Sequence, residues 1–454
     1  SCLRCLKNRT SWRMRFGNSW GVLGLRFNYN RFSFMKEYKL SDIAEVQTGP
    51  FGSQLHNEDY VTVGTPIVTV EHLGNRRFSK QNLPLVSDND KKRLTKYFLQ
   101  VGDIVFSRVG SVDRCSYVTS DENGWLFSGR CLRVRCYNNC YPLFLYYYFC
   151  NESIKQYIKS IAVGATMPSI NTKLMADIPV LLPNINQQKC IADILSSLDD
   201  KIEQNRRINE NLEQQAQALF KSWFVDFEPF KDGKFVDSEF GKVPEGWKVV
   251  HADEVFDINI GKTPPRKESI WFSNSENSNI KWVSISDMGN CGTFIGNSRE
   301  YLTQDAIKKF NIIIVPKDTI LLSFKLTIGR VAIAKKMLTT NEAIARFYLP
   351  YSQYREFTYL TLKNYDYSKL GSTSSIATAV NSKIIKGMKI LLPTNERIKN
   401  FSTIVKPIFD LMESYSNEID SLSELRDTLL PRLMSGELKI TDIVDMNLSD
   451  YKYY

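Results

Sequence analysis

The sequence predicts an α+β chain: two mixed α/β domains separated by two long antiparallel helices that pair as a coiled coil, arranged as a pseudo-two-fold tandem repeat. Three observations predict it. The phrase GATMPSINTKLMADIPVLLP, ending at Pro183, returns as SSIATAVNSKIIKGMKILLP, ending at Pro393. After each closing proline, apolar residues recur at three- and four-residue steps with no glycine among them, the pattern of an amphipathic helix with coiled-coil spacing. Before each phrase, aromatic and β-branched residues alternate with Gly, Pro and Asn breakers, the pattern of a mixed strand-and-helix domain.

Taken in order, residues 1–34 hold seven Arg or Lys and no Asp or Glu, and they precede Met35, where a clean pattern begins. They are read as a basic leader outside the fold, with too short an apolar centre around Trp20 to Leu25 for a secretory signal. The first domain is 35–183. There YKLSDIAEVQTGPFGS (38–53) ends in a Gly/Pro loop, VGDIVFS (101–107) reads as a strand, and its last Ser opens the phrase SRVGSVDR, which closes at Arg114. The second domain, 247–393, repeats that order with WKVVHADEVFDINIGKTPPR (247–266), PKDTILLS (316–323) and SFKLTIGR, closing at Arg330. A connection rich in Gly, Pro and acidic residues, 225–246, links the halves, and 439–454 form a tail.

Long helices are expected over 184–224 and 394–438, and about 32 residues at 1.5 Å each make a rod of roughly 48 Å. Ile194, Leu198, Ile202 and Leu212 in the first, with Ile408, Met412, Ile419 and Leu422 in the second, are expected to form the seam. Asn205 falls at a seam position, where a buried polar residue fixes register. A helix lying on its own domain's core is the plainer alternative.

Composition bounds the function. A chain of 454 residues with 43% hydrophobic and 24% charged residues is globular and long enough for two or three cores. No apolar run approaches the roughly 20 residues of a membrane span. Nine Cys share no zinc-finger spacing with the three His and read as reduced thiols of a cytoplasmic protein. Of the formal net charge of +10, the leader supplies +7. The rest is uneven: 36–183 carry +3 and 247–393 carry +8, whereas 184–246 and 394–454 are each −4.

Catalytic patterns are incomplete. Gly261-Lys262-Thr263 resembles the end of a phosphate loop, but Phe256 stands where its first Gly belongs. The sole Pro-Pro, in Thr263-Pro264-Pro265-Arg266, is not a base-methylating loop, and Asp88-Asn-Asp90-Lys91-Lys92 reads as a solvated loop rather than a nuclease metal site. Two basic, aromatic-rich domains without a catalytic set suggest a reader of a polyanion at two places, with Lys and Arg on phosphates and polar side chains on base edges.

SWFVDFEPF with SEFGKVPEGWKV (222–249), LRDTLLPRLMSGEL (425–438) and the duplicated phrase resemble the specificity subunit of type I restriction–modification enzymes, over Met35 to about residue 443. The resemblance implies that each domain recognises one half of a split double-stranded DNA target and that the helices set the gap. It implies two methyltransferase subunits bound to the helices, methylating adenine with S-adenosylmethionine, and restriction subunits that translocate DNA with ATP and Mg. This chain would bind no cofactor or metal and would catalyse nothing. The second copy of the phrase keeps Asn381 and Lys383 in register with Asn171 and Lys173 but lacks a counterpart of Pro168.

Candidate DNA-facing residues are Ser53 and Gln54 at the first Gly/Pro loop, and Lys262, Thr263, Arg266 and Lys267 at the second. The Arg-bearing phrases add Arg108, Arg114, Lys325 and Arg330, and Arg76 with Arg77 form a basic pair after an expected strand. A solvated surface charge is the plain alternative for each, and a helix cap for Asn171 and Asn381. A protein-interaction scaffold with the helices as an oligomerisation rod is the rival function; it predicts no sequence preference on DNA.

Overall fold

The computed structural model describes residues 35–51, 54–370 and 380–438, so the leader, Ser53 and the 439–454 tail lie outside the described residues. The chain divides into two compact units, 1–192 with 430–454, and 193–429.

In the first unit, strand Lys36–Lys39 pairs antiparallel with Pro179–Leu182, and the Leu40 N–H donates to the Ile178 carbonyl at 2.9 Å. The closing part of the repeated phrase is therefore the last strand of its domain, bound to the first. Between them lie two four-stranded sheets. One has the order Ala44–Thr48, Cys131–Cys136, Ile104–Ser107, Cys115–Tyr117. The other has the order Tyr60–Val61, Leu85–Val86, Thr65–Val68, Leu126–Phe127, its last pair parallel. Ile104–Ser107 is buried at every position, as an internal strand covered on both faces must be. The helix Pro142–Cys150, PLFLYYYFC, is apolar all round and buried from Phe144 to Phe149, and Phe149 meets Phe106 of that strand edge-on at 4.8 Å.

The second unit repeats this plan. Lys248–His251 pairs antiparallel with Lys389–Leu392, and the Ala252 N–H donates to the Met388 carbonyl at 2.8 Å. One sheet runs Asp257–Ile260, Ile344–Tyr348, Ile320–Ser323, Val331–Ala334, with Phe294–Ile295 added at the edge. The other runs Phe272–Ser273, Glu300–Leu302, Ile280–Val283, Thr339–Thr340, again with its last pair parallel. Apart from that added edge strand, the two domains correspond strand for strand.

The long helices are Ile185–Phe224 and Asn395–Met434, 40 residues each, hence about 60 Å rather than 48 Å. Within the second unit they run antiparallel. Arg426 Nη1 donates to Asp199 at 2.7 Å, Asn205 Nδ2 to Glu418 at 2.9 Å and Asn209 Nδ2 to the Met412 carbonyl at 3.3 Å. As one number rises the other falls. Met412 and Ile202 are buried, whereas Ile194, Leu198, Leu212, Ile408, Ile419 and Leu422 are half-buried; Leu195 is fully buried instead of its neighbour Ile194. Pro407 lies inside the second helix without ending it, although it offers no N–H to the carbonyl four residues back. Gly436, at φ 67°, takes the left-handed position after that helix and donates to the Leu433 carbonyl at 3.2 Å, a glycine C-terminal cap.

The 225–246 connection is not a bare linker. Phe235–Ser238 and Gly241–Pro244 form a hairpin, and Phe230, Val243 and Trp247 join a core with Phe220, Phe224, Phe357 and Phe401. Phe224 stands 4.8 Å from Phe401, 5.2 Å from Phe357 and 5.7 Å from Trp247. The aromatic spacing of SWFVDFEPF and PEGW is thus an anchor that locks the first helix, the second helix and the second domain together within this unit. Its breakers and acids hid that role.

Candidate nucleic-acid interface

The same backbone stitching gathers three loops in each domain. Ser107 N–H donates to the Arg114 carbonyl at 3.0 Å, and Ser323 N–H to the Arg330 carbonyl at 2.9 Å, closing the two eight-residue phrases alike. Each closed loop is bonded to the segment after the parallel strand pair, Arg108 N–H to Arg130 at 2.8 Å and Phe324 N–H to Ala343 at 3.0 Å. The Gly/Pro loop joins from the other side, Gly49 N–H to Cys131 at 3.3 Å and Gly261 N–H to Ile344 at 3.1 Å. Both glycines are required by close approach. A Cβ on Gly49 would lie well inside 3.0 Å of the Ser128 and Phe127 carbonyl oxygens, and one on Gly261 well inside 3.0 Å of those of Asn341 and Thr340.

In the first domain, Gln54 is exposed; its side chain accepts from the Tyr97 hydroxyl at 2.8 Å and its carbonyl from Arg93 at 2.6 Å. Arg108 is half-buried, its guanidinium 4.8 Å above the Phe51 ring and bonded to the Gly129 carbonyl at 3.2 Å. Arg114 is exposed and donates to the Leu73 carbonyl at 3.3 Å. It lines a cleft of about 830 Å³ with Asn75, Ser111, Tyr146, Lys155 and Lys159. Arg76 and Arg77 are half-buried and follow the turn Val70–His72 rather than a strand; Arg76 has φ 67° and its carbonyl accepts from Tyr117 at 2.9 Å. The loops of this domain also take in the repeated phrase, since Gly110 N–H donates to Pro168 at 2.8 Å and Ile170 N–H to Arg108 at 2.9 Å. Its counterpart at 371–379 lies outside the described residues.

In the second domain, Lys262 is exposed and donates to the Phe310 and Asn311 carbonyls, both at 3.2 Å, and Thr263 bonds Glu342. Arg266 is held hard: a two-pronged pair with Glu300 at 2.7 and 2.9 Å, and ring faces of Phe272 and Trp282 each 4.4 Å away. Its guanidinium is thus engaged although the residue is exposed. Lys267 is exposed. Lys325 is exposed beside Phe324, 5.8 Å over its ring, while Arg330 is half-buried and donates to the Ile285 carbonyl at 2.7 Å. Asn171 and Asn381 both cap helices, accepting from Leu174 at 2.9 Å and Ile384 at 3.1 Å.

Two pairs escaped the sequence. Arg133 and Arg346 occupy matching strand positions, opposite Gln47 and Asn259, and are 2% and 1% exposed. Arg133 bonds Glu45 at 2.7 Å and the Phe98 carbonyl at 3.2 Å, and Arg346 bonds Thr340 Oγ1 at 3.0 Å and the Ile313 carbonyl at 3.3 Å. Burial lowers the pKa of both guanidinium groups. The second pair is helical. Asp88–Arg93, expected as a solvated loop, is a helix capped by Ser87, and its counterpart Gln304–Lys309 is capped by Thr303. Their basic ends, Lys91–Arg93 and Lys308–Lys309, abut the Gly/Pro loops through the Arg93–Gln54 bond and the Lys262 bonds to Phe310 and Asn311. A Ser or Thr immediately ahead of each helix, in the N-cap position, was the available signal.

Among the described residues no group of three or more His, Cys, Asp or Glu is placed to hold a metal, and no helix is long and apolar enough to cross a membrane.

The family described as type I restriction modification DNA specificity domain matches the chain twice, over 33–214 and 244–429. The chain is 29% identical to the type I restriction enzyme MjaIX specificity subunit of Methanocaldococcus jannaschii, over 66% of this chain and 70% of that protein. It is 27% identical to the type I restriction enzyme HindI specificity subunit of Haemophilus influenzae, over 89% of this chain and 99% of that one. The crystal structure of a type I restriction–modification S subunit from M. genitalium shares the fold, with a TM-score of 0.51 at 16% identity, covering 88% of this chain and 96% of that one.

Proposed function

The chain belongs to the type I restriction modification DNA specificity domain family, and from that premise we propose that its two domains each read one half of a split double-stranded DNA target. It is a specificity subunit: it recognises DNA and assembles the modification–restriction complex, and it is not itself an enzyme. The observation that carries the split reading is the duplication of the loop set. Each domain carries the same stitched triad of loops with a basic helix end beside it, but the side chains in the two triads differ. Equal scaffolds with unequal side chains suit two unlike half-sites, because backbone placement fixes register while base-edge contacts specify sequence. The paired helices serve as the spacer between the halves and as the seat for two methyltransferase subunits, with restriction subunits joining them in the cytoplasm. S-adenosylmethionine, ATP and Mg belong to those partners.

The test is co-expression with the methyltransferase subunit of its own system, followed by mapping of methylated adenines across the host genome. A single motif of two short halves separated by a fixed gap supports the reading. A stable complex that leaves no sequence-defined methylation overturns it and favours a protein-binding scaffold.

A further inference from the structure

The fourth residue of each eight-residue phrase adopts the left-handed conformation: Gly110 at φ 73° in SRVGSVDR and Leu326 at φ 60° in SFKLTIGR. Glycine takes that conformation freely, whereas a leucine there is strained. The first domain meets the requirement at no cost, and nothing lies within 4 Å of the place a Cβ would take on Gly110. The second domain keeps a leucine whose side chain is 100% exposed. It therefore packs on nothing in this chain, and its strain is not offset by burial.

The loop that presents it is cross-bonded at both ends. Ser323 Oγ donates to the Thr327 carbonyl at 2.6 Å and accepts from the Arg330 N–H at 3.1 Å, and the Gly329 N–H donates to the Ser323 carbonyl at 3.1 Å. Arg330 pins the far end to the Ile285 carbonyl. Lys325, next to the leucine, is exposed, and Ile328 adds a second partly exposed apolar group. An apolar tip flanked by a cation fits duplex DNA better than a protein face, since the Lys meets the phosphate while the alkyl group reaches the base stack or a thymine methyl.

We propose that Leu326 is a specificity-determining residue of the second domain, an apolar probe that packs against bases of its half-site, where Gly110 leaves the first domain without one. This rests on the split-target reading above.

The test is Leu326→Gly in the full complex with the methyltransferase subunit, assayed for affinity, salt dependence and methylated motif. The variant should melt no lower than the parent, because a strained, exposed side chain is removed. Affinity for the mapped target should fall about 10-fold, within the range of one lost base contact, with the slope of log K against log salt unchanged because no phosphate contact is lost. The motif should relax at one position of one half only. Lys325→Ala, in contrast, should reduce the salt slope by about one phosphate contact. A parent that yields a split motif together with a Leu326→Gly variant of unchanged affinity and motif overturns this inference and leaves the split-target reading standing. A parent that yields no motif overturns the split-target reading itself. A fall in melting temperature with unchanged affinity assigns Leu326 a structural role instead.

Discussion

Gly261→Ala is the sharpest perturbation of the second recognition loop. A methyl there meets the Asn341 and Thr340 carbonyl oxygens far inside 3.0 Å, and backbone atoms cannot swing aside as a flexible side chain does. The loop must retreat on the order of 1 Å, an overpacking that costs about 1–3 kcal/mol. Retreat also weakens the Gly261 bond to Ile344 and the Lys262 N–H bond to Thr340, at 3.1 and 3.0 Å, each worth about 1 kcal/mol net. Loss of chain entropy in the unfolded state returns about 0.4–1 kcal/mol. The expected loss is about 3 kcal/mol. Trp282 reports it locally, because its indole N–H donates to the Lys262 carbonyl at 3.1 Å. Denaturant unfolding followed by tryptophan emission gives the stability, and methylation mapping gives the function. One half of the motif should blur while the other holds, and Gly49→Ala should blur the opposite half. Unchanged unfolding and an unchanged motif would falsify the claim that these glycines exist to let the loops lie on the strands.

Further tests address the seam, the held arginine and the thiols. Met412→Lys buries a charge at a position 1% exposed and should cost at least about 3 kcal/mol, read as a lower unfolding midpoint; half-buried Leu422→Lys should cost clearly less, since its ammonium can reach water, and an equal loss at both would contradict the burial difference. Glu300→Gln removes the carboxylate charge that pairs with Arg266, so non-specific DNA binding at low salt should tighten and its salt slope steepen; weaker binding would show that Glu300 itself faces the DNA favourably. Burial raises the Cys131 thiol from 9.0 to about 12 and the Cys291 thiol to about 11. A thiol pKa raised in the folded state leaves its contribution to stability fully present below the unfolded value of 9.0, and that contribution should be lost as pH climbs from 9.0 through the folded values of about 11 and about 12. At pH 8 a thiol reagent should label exposed Cys190 fast, half-buried Cys291 more slowly and buried Cys131 only on unfolding; rapid labelling of Cys131 counts against its burial.

Much of the architecture was legible because periodicity survives in a single sequence. The helical steps from Ile191 to Leu219 and from Phe401 to Leu429 mark the rods, and Asn205 sits completely buried at the seam. The finer packing was not legible, since the buried side of a long helix drifts: Leu195 is buried where its neighbour Ile194 is only half so. Charge misled most. Nothing in the sequence singles out Arg133 or Arg346, because only the fold supplies the carbonyls that hold them. Arg266, equally basic, has its guanidinium committed to Glu300 and two rings, which no spacing rule announces. Phe227 and Phe230 were lost among prolines and acids that suggested a linker.

The pairing of each domain's first and last strands reaches beyond stability. Lys36 lies opposite Leu182, and Lys248 opposite Leu392, so the polypeptide leaves each domain where it came in, about 5 Å away across one ladder. Everything between those strands is a closed excursion. A different excursion that begins and ends on the same two strands would meet the same anchors, so each domain is bounded by its own ladder like an exchangeable cassette.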